Sequence, residues 1–351
     1  MSMASFYKLV DMLDIQVDET KSRNSTGGVD PIDKTLIVAC GLRFLGGEQH
    51  KSLTDIYHTS ESSVRRSVNR FLDAVLQCKD LAIELPKEEE LESLANGWAA
   101  KSTADGVLSG CLLALDGFLS SRIKPSVSND ADYYTKHKNI YALNVQAACD
   151  HHLRFRYVCV CGPGKLNDGR AHTRCRRLRR WLDRLPTRYF IAADNAYPLS
   201  SKVLIPFKGA QRNVMYNSSF NFYLSQLRIR VEMAFGRMTT KFRIMRQKNT
   251  CALDKHSRII QVVTRLHNYV IDNDGLPDNQ QRIPTIGDNN RPDAQEVGLM
   301  GIDALRDHEE GNMGFIQTVP YEDDDGSSRS SRRMAMVAQL EERTIVRPNT
   351  A

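Results

Sequence analysis

The stretch from Leu227 to Arg246, LRIRVEMAFGRMTTKFRIMR, constrains this chain more than any other. Leu224, Leu227, Val231, Ala234, Phe235, Met238 and Phe242 recur at three- and four-residue steps, the spacing of one buried helical face. Glu232 stands at the edge of that stripe, with Arg228 one turn before it and Gly236 one turn after. Arg230, Arg237, Lys241, Arg243 and Arg246 make the rest of the helix cationic. A lone carboxylate on the margin of a buried face, among so many cations, is either a salt-bridge partner or a metal ligand.

A helix of this kind needs a core to pack on, and the chain can supply one. Of its 351 residues 41% are hydrophobic and 26% charged, the balance of a soluble globular protein with one large domain and a small one. No run of eighteen apolar residues suggests a membrane span, and MSMASFYKLVDMLDIQ lacks the basic-then-apolar order of a signal peptide. The formal net charge of +6 leans toward polyanionic partners. Eight cysteines are scattered without a C-x-x-C pair, and Cys111, Cys149, Cys159 and Cys161 lie in apolar runs. They read as reduced core cysteines of a cytosolic or nuclear protein, and no structural zinc site is expected, His151-His152 included.

Four regions follow from the patterning. Residues 1–30 carry a short amphipathic segment and a polar linker, and residues 31–105 are helical. Pro31 to Leu45 reads as a helix burying Ile32, Leu36, Ile37, Ala39, Cys40, Leu42 and Leu45, stopped by Gly46-Gly47. SLTDIYHTSESSVRRSVNRFLDAVL then reads as two helices, the first capped by Ser52 with Asp55 and the second by Ser60. In the second, Val64, Val68, Phe71, Leu72 and Val75 share one face, and Arg65, Arg66, Asn69 and Arg70 the other. That is the pattern of a helix-turn-helix with donors outward, and equally of a helical hairpin with a solvated basic face. Leu81 to Asp105 is an acidic, helical connector.

Residues 106–274 change to α/β composition. Gly106 to Gly117 reads as a buried strand closed by Asp116-Gly117; Ile140–Cys149 and Phe155–Cys161 form a hairpin across Asp150-His151-His152. A loop precedes a helix from Thr173 to Leu185, with Leu178, Trp181, Leu182 and Leu185 inward and Arg174, Arg176, Arg177, Arg179 and Arg180 outward. Tyr189–Ala193 is a strand closed by Asp194, followed by the short VLIPFK element, a polar loop through Ser219, the cationic helix, and a last helix from His256 to Asp272. Residues 275–351 read as mostly disordered, with a short helix near Met334–Arg343 and a solvated SSRSSRR patch.

Three acids stand out together: Asp116 and Asp194 at strand ends, Glu232 on the later helix. Two Mg²⁺ or Mn²⁺ ions that cleave a phosphodiester need hard carboxylate oxygens on rigid elements, and strand ends crossed by a helix can supply them. Taken singly, each acid has a plainer role: a turn at Asp116-Gly117, a cap at Asp194, an ion pair of Glu232 with Arg228.

The blocks ALDGFLSSRIKP, YYTKHKNIYALNVQAACDHHLRF, IAADNAYPLSSKVLIPFK and LRIRVEMAFGRMTTKFRIMR resemble, in order, those of the DDE superfamily endonucleases, and within them the PIF/Harbinger transposases and their domesticated nuclease relatives. The resemblance implies an RNase H-like mixed sheet with flanking helices, a small all-α helix-turn-helix domain before it, and metal-dependent DNA cleavage by a two-metal mechanism. It puts the catalytic acids on Asp116, Asp194 and Glu232, with Mg²⁺ or Mn²⁺ as cofactor. Asn167-Asp168 stands where that family usually has His-Asp, so Asp168 joins the metal-ligand candidates, and Phe118-Leu119 stands where a histidine often follows the first acid. A nuclear location, a separate Myb-like DNA-binding partner and a homo-oligomer are further implications.

On this reading Arg65, Arg66, Arg70, Arg177, Arg228, Arg237 and Lys241 are the DNA-binding candidates, with Arg230, Arg243 and the Lys136-His137-Lys138 run as further phosphate contacts. Gly162-Pro-Gly-Lys165 lacks the spacing of a nucleotide phosphate loop, and no G-x-S-x-G supports acyl chemistry. Two alternatives stay open: a catalytically silent DNA-binding protein on the same fold, and a nuclease acting on RNA.

Overall fold

The computed structural model describes residues 1–16, 32–104, 106–136, 138–276 and 326–348. Helix α1 (Met3–Met12) is capped by Ser2, whose hydroxyl accepts the Ser5 N–H at 3.1 Å. The Ser5 hydroxyl in turn donates to Asp274 at 2.6 Å, tying the N-terminal helix to a residue far along the chain. Helix α2 (Lys34–Leu45) starts at the Asp33 cap, and Pro31 lies outside the described residues. Its buried face is Ile37, Val38, Cys40, Gly41, Phe44 and Leu45, whereas Leu36, Ala39 and Leu42 are half-buried. Gly41 matters here: a Cβ would come within 2.1 Å of the Phe71 ring from α4, so the glycine lets the two helices meet closely.

Helices α3 (His50–Tyr57) and α4 (Glu61–Gln77) are the expected pair. Ser60 caps α4 by accepting the Ser63 N–H at 3.2 Å, but α3 begins after Gln49 without a side-chain cap, so Ser52 and Asp55 lie inside it. The anticipated apolar face of α4 is buried in full. It packs against α2, α3 and α9 (Leu253–Asp274), and Arg265 of α9 donates to the carbonyls of Val75 and Leu76 at 3.0 and 2.8 Å. One hydrophobic cluster therefore runs from Leu9 through α4 to Leu266 without a seam.

The acidic connector is helical only in α5 (Leu91–Ala99) and in two single 3₁₀ turns. Its extended part is pinned by side chains of the α/β region. Arg156 pairs with Glu90 at 2.7 Å, and the Trp181 indole donates to the Pro86 carbonyl at 2.9 Å.

The sheet contains β1 (Cys111–Arg122), β2 (Tyr134–Thr135), β3 (Ile140–Cys149), β4 (Phe155–Pro163), β5 (Phe190–Ala193) and β6 (Val203–Leu204). β1, β3 and β4 are antiparallel neighbours, while β5 and β6 run parallel to β1 on its other side. β1 does not end at Asp116. It pairs with β3 from Ala114–Cys149 through Arg122–Tyr141, so Asp116 sits mid-strand. The polar Ser120-Ser121-Arg122 end is buried because it finds partners, among them the His256 ring, 2.8 Å from the Ser120 hydroxyl.

The arginine-rich helix is two: α6 (Asp168–Arg174) and α7 (Arg176–Arg184), broken at Cys175. Leu178, Leu182 and Leu185 are buried and Trp181 half-buried. Helix α8 (Met215–Lys241) begins well before Ser219, since the polar residues of its first turns bond locally: Ser219 donates to the Met215 carbonyl at 2.9 Å. It ends at Lys241, and residues 243–246 form a 3₁₀ turn. α8 lies across β1, β3 and β5.

The helix expected near Met334–Arg343 is present, starts earlier and is folded onto this core; residues 277–325 and 349–351, which hold the rest of the expected disordered tail, lie outside the described residues. Helix α10 (Gly326–Glu342) packs on α8 and buries Met336, Val337 and Leu340. Two arginines of the SSRSSRR run are half-buried and make contacts with the core, so they are not simply solvated charges. Arg332 donates to the Tyr189 carbonyl at 2.8 Å, and the Arg333 guanidinium lies 3.9 Å above the Phe207 ring.

Candidate active site

The parallel pairing of β1 with β5 sets Leu115 opposite Ala193. Each is the residue before an acid, so Asp116 within β1 and Asp194 just past the end of β5 stand side by side, about 4.8 Å being the usual strand separation. Backbone amides orient both: Gly117 N–H donates to Asp116 at 2.8 Å, and Ala196 N–H to Asp194 at 2.7 Å. Phe118, on the same face of β1 as Asp116, stacks on Phe235 of α8 with centroids 5.3 Å apart. One turn before Phe235, α8 carries Glu232, and one turn earlier Arg228, which holds Glu232 at 2.9 Å.

Arg228 organises the cluster. Burial works against its charge, yet Glu232, Asp116 and Asp194 together hold its pKa above the ordinary value. Asp116 is pushed up to about 8, first by burial, and further by Asp194, Glu232 and Asp168, with Arg228 opposing. Asp116, Asp194 and Glu232 thus all act on the guanidinium, while Asp168 acts on Asp116. Among the described residues no three acids bring an oxygen each within 4.8 Å of one another.

Asp168 arrives from the other side of the sheet. Asn167 caps α6 by accepting the Arg170 N–H at 2.9 Å, which places Asp168 in the first turn. Its carboxylate takes hydrogen bonds from the Gln146 amide at 2.8 Å and the Asn144 amide at 3.4 Å. A Cβ on Gly117 would lie 2.1 Å from Asp168 Oδ1, so only glycine beside Asp116 admits this approach. Burial raises the Asp168 pKa, the Gln146 hydrogen bond opposes it, and Asp194 adds to the rise. Tyr197 completes the arrangement by donating to Gln146 Oε1 at 2.5 Å. Asn144, Gln146 and Tyr197 were not anticipated. The signal was there for two of them, as polar side chains at i and i+2 of an otherwise apolar strand.

The cationic candidates fall into separate places. Arg65 pairs with Glu61 on the exposed side of α4, where Arg66 is exposed and Arg70 half-buried. Arg177 lines a shallow hollow with Arg176, Arg180, Arg184, Trp181 and Leu85. Lys138 lies close enough to Asp168 to favour its charge, while His137 is outside the described residues. Arg237 donates to the Gly275 carbonyl at 2.9 Å and, with Lys241, lines a hollow beside Met1 and Asp274, well around α8 from Glu232. Arg228 faces the acids instead of an outer surface. Arg230 is fully buried, 3.5 Å from the His151 carbonyl, and cannot reach a phosphate.

The arrangement is a set of carboxylates with a strong demand for positive charge, mounted on two strands and a helix. Comparisons with curated proteins and with solved structures returned no match. Residues 115–268, which contain all four acids, match the family model described as DDE superfamily endonuclease.

Proposed function

We propose that the protein is a metal-dependent DNA endonuclease or transposase of the PIF/Harbinger type, on an RNase H-like fold. The observation that carries the proposal is the convergence of Asp116, Asp194 and Glu232 on the half-buried Arg228, with Asp116 pushed up to about 8 by burial and by its acidic neighbours. The residues fit Mg²⁺ or Mn²⁺: hard carboxylate oxygens on rigid elements, outnumbering the Arg228 guanidinium they share. Asp116, Asp194 and Glu232 would hold the metal, with Asp168 contributing from the far face. When bound, a divalent pair supplies a nucleophile from water at neutral pH and stabilises the departing 3′-oxygen.

The chain's own groups prepare this chemistry. The Gly117 and Ala196 amides hold the two aspartates in fixed rotamers. Gln146, itself held by Tyr197, fixes Asp168. Arg228 stabilises the uncomplexed cluster, and it must release Glu232 for that carboxylate to turn to a metal. The outward arginines of α4, in a helix-turn-helix formed with α3, and the Arg176–Arg184 hollow offer phosphate contacts whose strength falls with salt. Nuclear action, a Myb-like partner and self-association complete the proposal.

One observation favours a second reading. The Arg228–Glu232 pair already satisfies the third acid, as it would in a catalytically silent DNA-binding descendant. Incubating the protein with supercoiled DNA, duplex RNA and either metal separates the readings. Metal-dependent DNA nicking that disappears in Asp194→Asn supports the nuclease. Salt-sensitive binding without nicking, unchanged by that substitution, supports the silent protein, and preferential RNA cleavage transfers the same site to RNA.

A further inference from the structure

Three thiols that the nuclease reading leaves unused come together behind the sheet. Cys159 and Cys161 are alternate residues of β4 and so project from one face. Cys175 meets them from the break between α6 and α7, and the three sulfurs all lie within 4.8 Å of one another. The Cys161 and Cys175 sulfurs are 3.5 Å apart. Three sulfurs bound at about 2.3 Å to one zinc ion stand about 3.8–4.0 Å from each other, so the trio needs shifts of a few tenths of an ångström to close on one.

We propose that Cys159, Cys161 and Cys175 form a structural Zn²⁺ site, with a water as fourth ligand. Cys161 and Cys175 are buried and Cys159 is half-buried, which leaves one side open to that water. Thiolate donors select a soft, closed-shell cation over Mg²⁺ or Mn²⁺, so this site does not compete for the metals of the acidic cluster. The Arg174 guanidinium, donating to the Cys161 carbonyl at 2.9 Å, places positive charge beside a three-thiolate centre. A Cys161–Cys175 disulfide would use two of the thiols and leave the third without a role. Finger-type spacing is absent because the ligand pair comes from strand alternation, where i and i+2 suffice. The site would clamp β4 to the α6–α7 junction, and α6 carries Asp168 at its other end.

The test uses the full chain, reduced and freed of metal, then titrated with Zn²⁺ and, as a spectroscopic probe, with Co²⁺. One equivalent of tightly held Zn²⁺, thiolate-to-cobalt charge-transfer absorption, and loss of both in Cys159→Ser and Cys175→Ser are expected, with Cys251→Ser as the retained control. Cys159 is half-buried, so its substitution leaves the fold intact, as circular dichroism would verify. A folded wild type that takes up no Zn²⁺, uptake unchanged in both ligand variants, or a Cys161–Cys175 disulfide as the resting form would each overturn the assignment. These outcomes are independent of DNA cleavage.

Discussion

Asp116→Asn should make the metal-free protein more stable, and increasingly so as pH rises. The carboxyl's pKa moves from 3.8 unfolded to about 8 folded. A raised folded pKa means its stabilising share is complete below pH 4 and is lost progressively up to pH 8. Each tenfold change in proton affinity corresponds to about 1.4 kcal/mol, which sets a ceiling of about 6 kcal/mol. Structural relaxation and water entry reduce such ceilings, so a gain of about 2–3 kcal/mol at pH 8.5 is the working expectation. Asparagine keeps the acceptor for the Gly117 N–H, so geometry is preserved. Urea unfolding in chelator-treated buffer at pH 5, 7 and 8.5 would measure the difference. Equal stability at all three values, or a wild type that gains on the variant with pH, would refute the claim that buried, mutually repelling carboxylates strain this site.

Two further substitutions probe its construction. Arg228→Met removes the cation held among Asp116, Asp194 and Glu232, and should cost about 3 kcal/mol without metal, recovered largely by millimolar Mn²⁺; a loss that metal does not restore would contradict the counter-charge role. Gly117→Ala drives a methyl into Asp168 Oδ1 and should cost about 1–3 kcal/mol, so the double variant with Asp168→Ala should be more stable than Gly117→Ala alone; simple additivity would sink that explanation.

The helical stripe of α8 was legible because its period is carried by large apolar residues, and its acid could be singled out against that background. Its first three turns were not, because Asn217 and Ser219 look like loop residues until local hydrogen bonds are seen. The same blindness shortened β1: Asp116-Gly117 reads as its close, yet the polar Ser120, Ser121 and Arg122 beyond it are buried through pairing with β3 and contact with His256 and the 249–251 segment. For the site, acids at the ends of apolar runs could be found. The inward turn of Arg228 could not, since an i,i+4 pair with Glu232 has one spacing whether it lies on a surface or inside a cluster. Contacts from remote segments, such as Tyr197 on Gln146 or Arg332 on the Tyr189 carbonyl, leave no local pattern at all.

The most direct test of the central claim is nicking of supercoiled DNA by the purified full chain in Mg²⁺ or Mn²⁺, measured for wild type beside Asp116→Asn, Asp194→Asn and Glu232→Gln. The account predicts metal-dependent nicking by the wild type and its loss, by about 100-fold or more, in each folded variant. Undiminished nicking in any one of the three would contradict the assignment of that acid, and undiminished nicking in all of them would place the chemistry elsewhere.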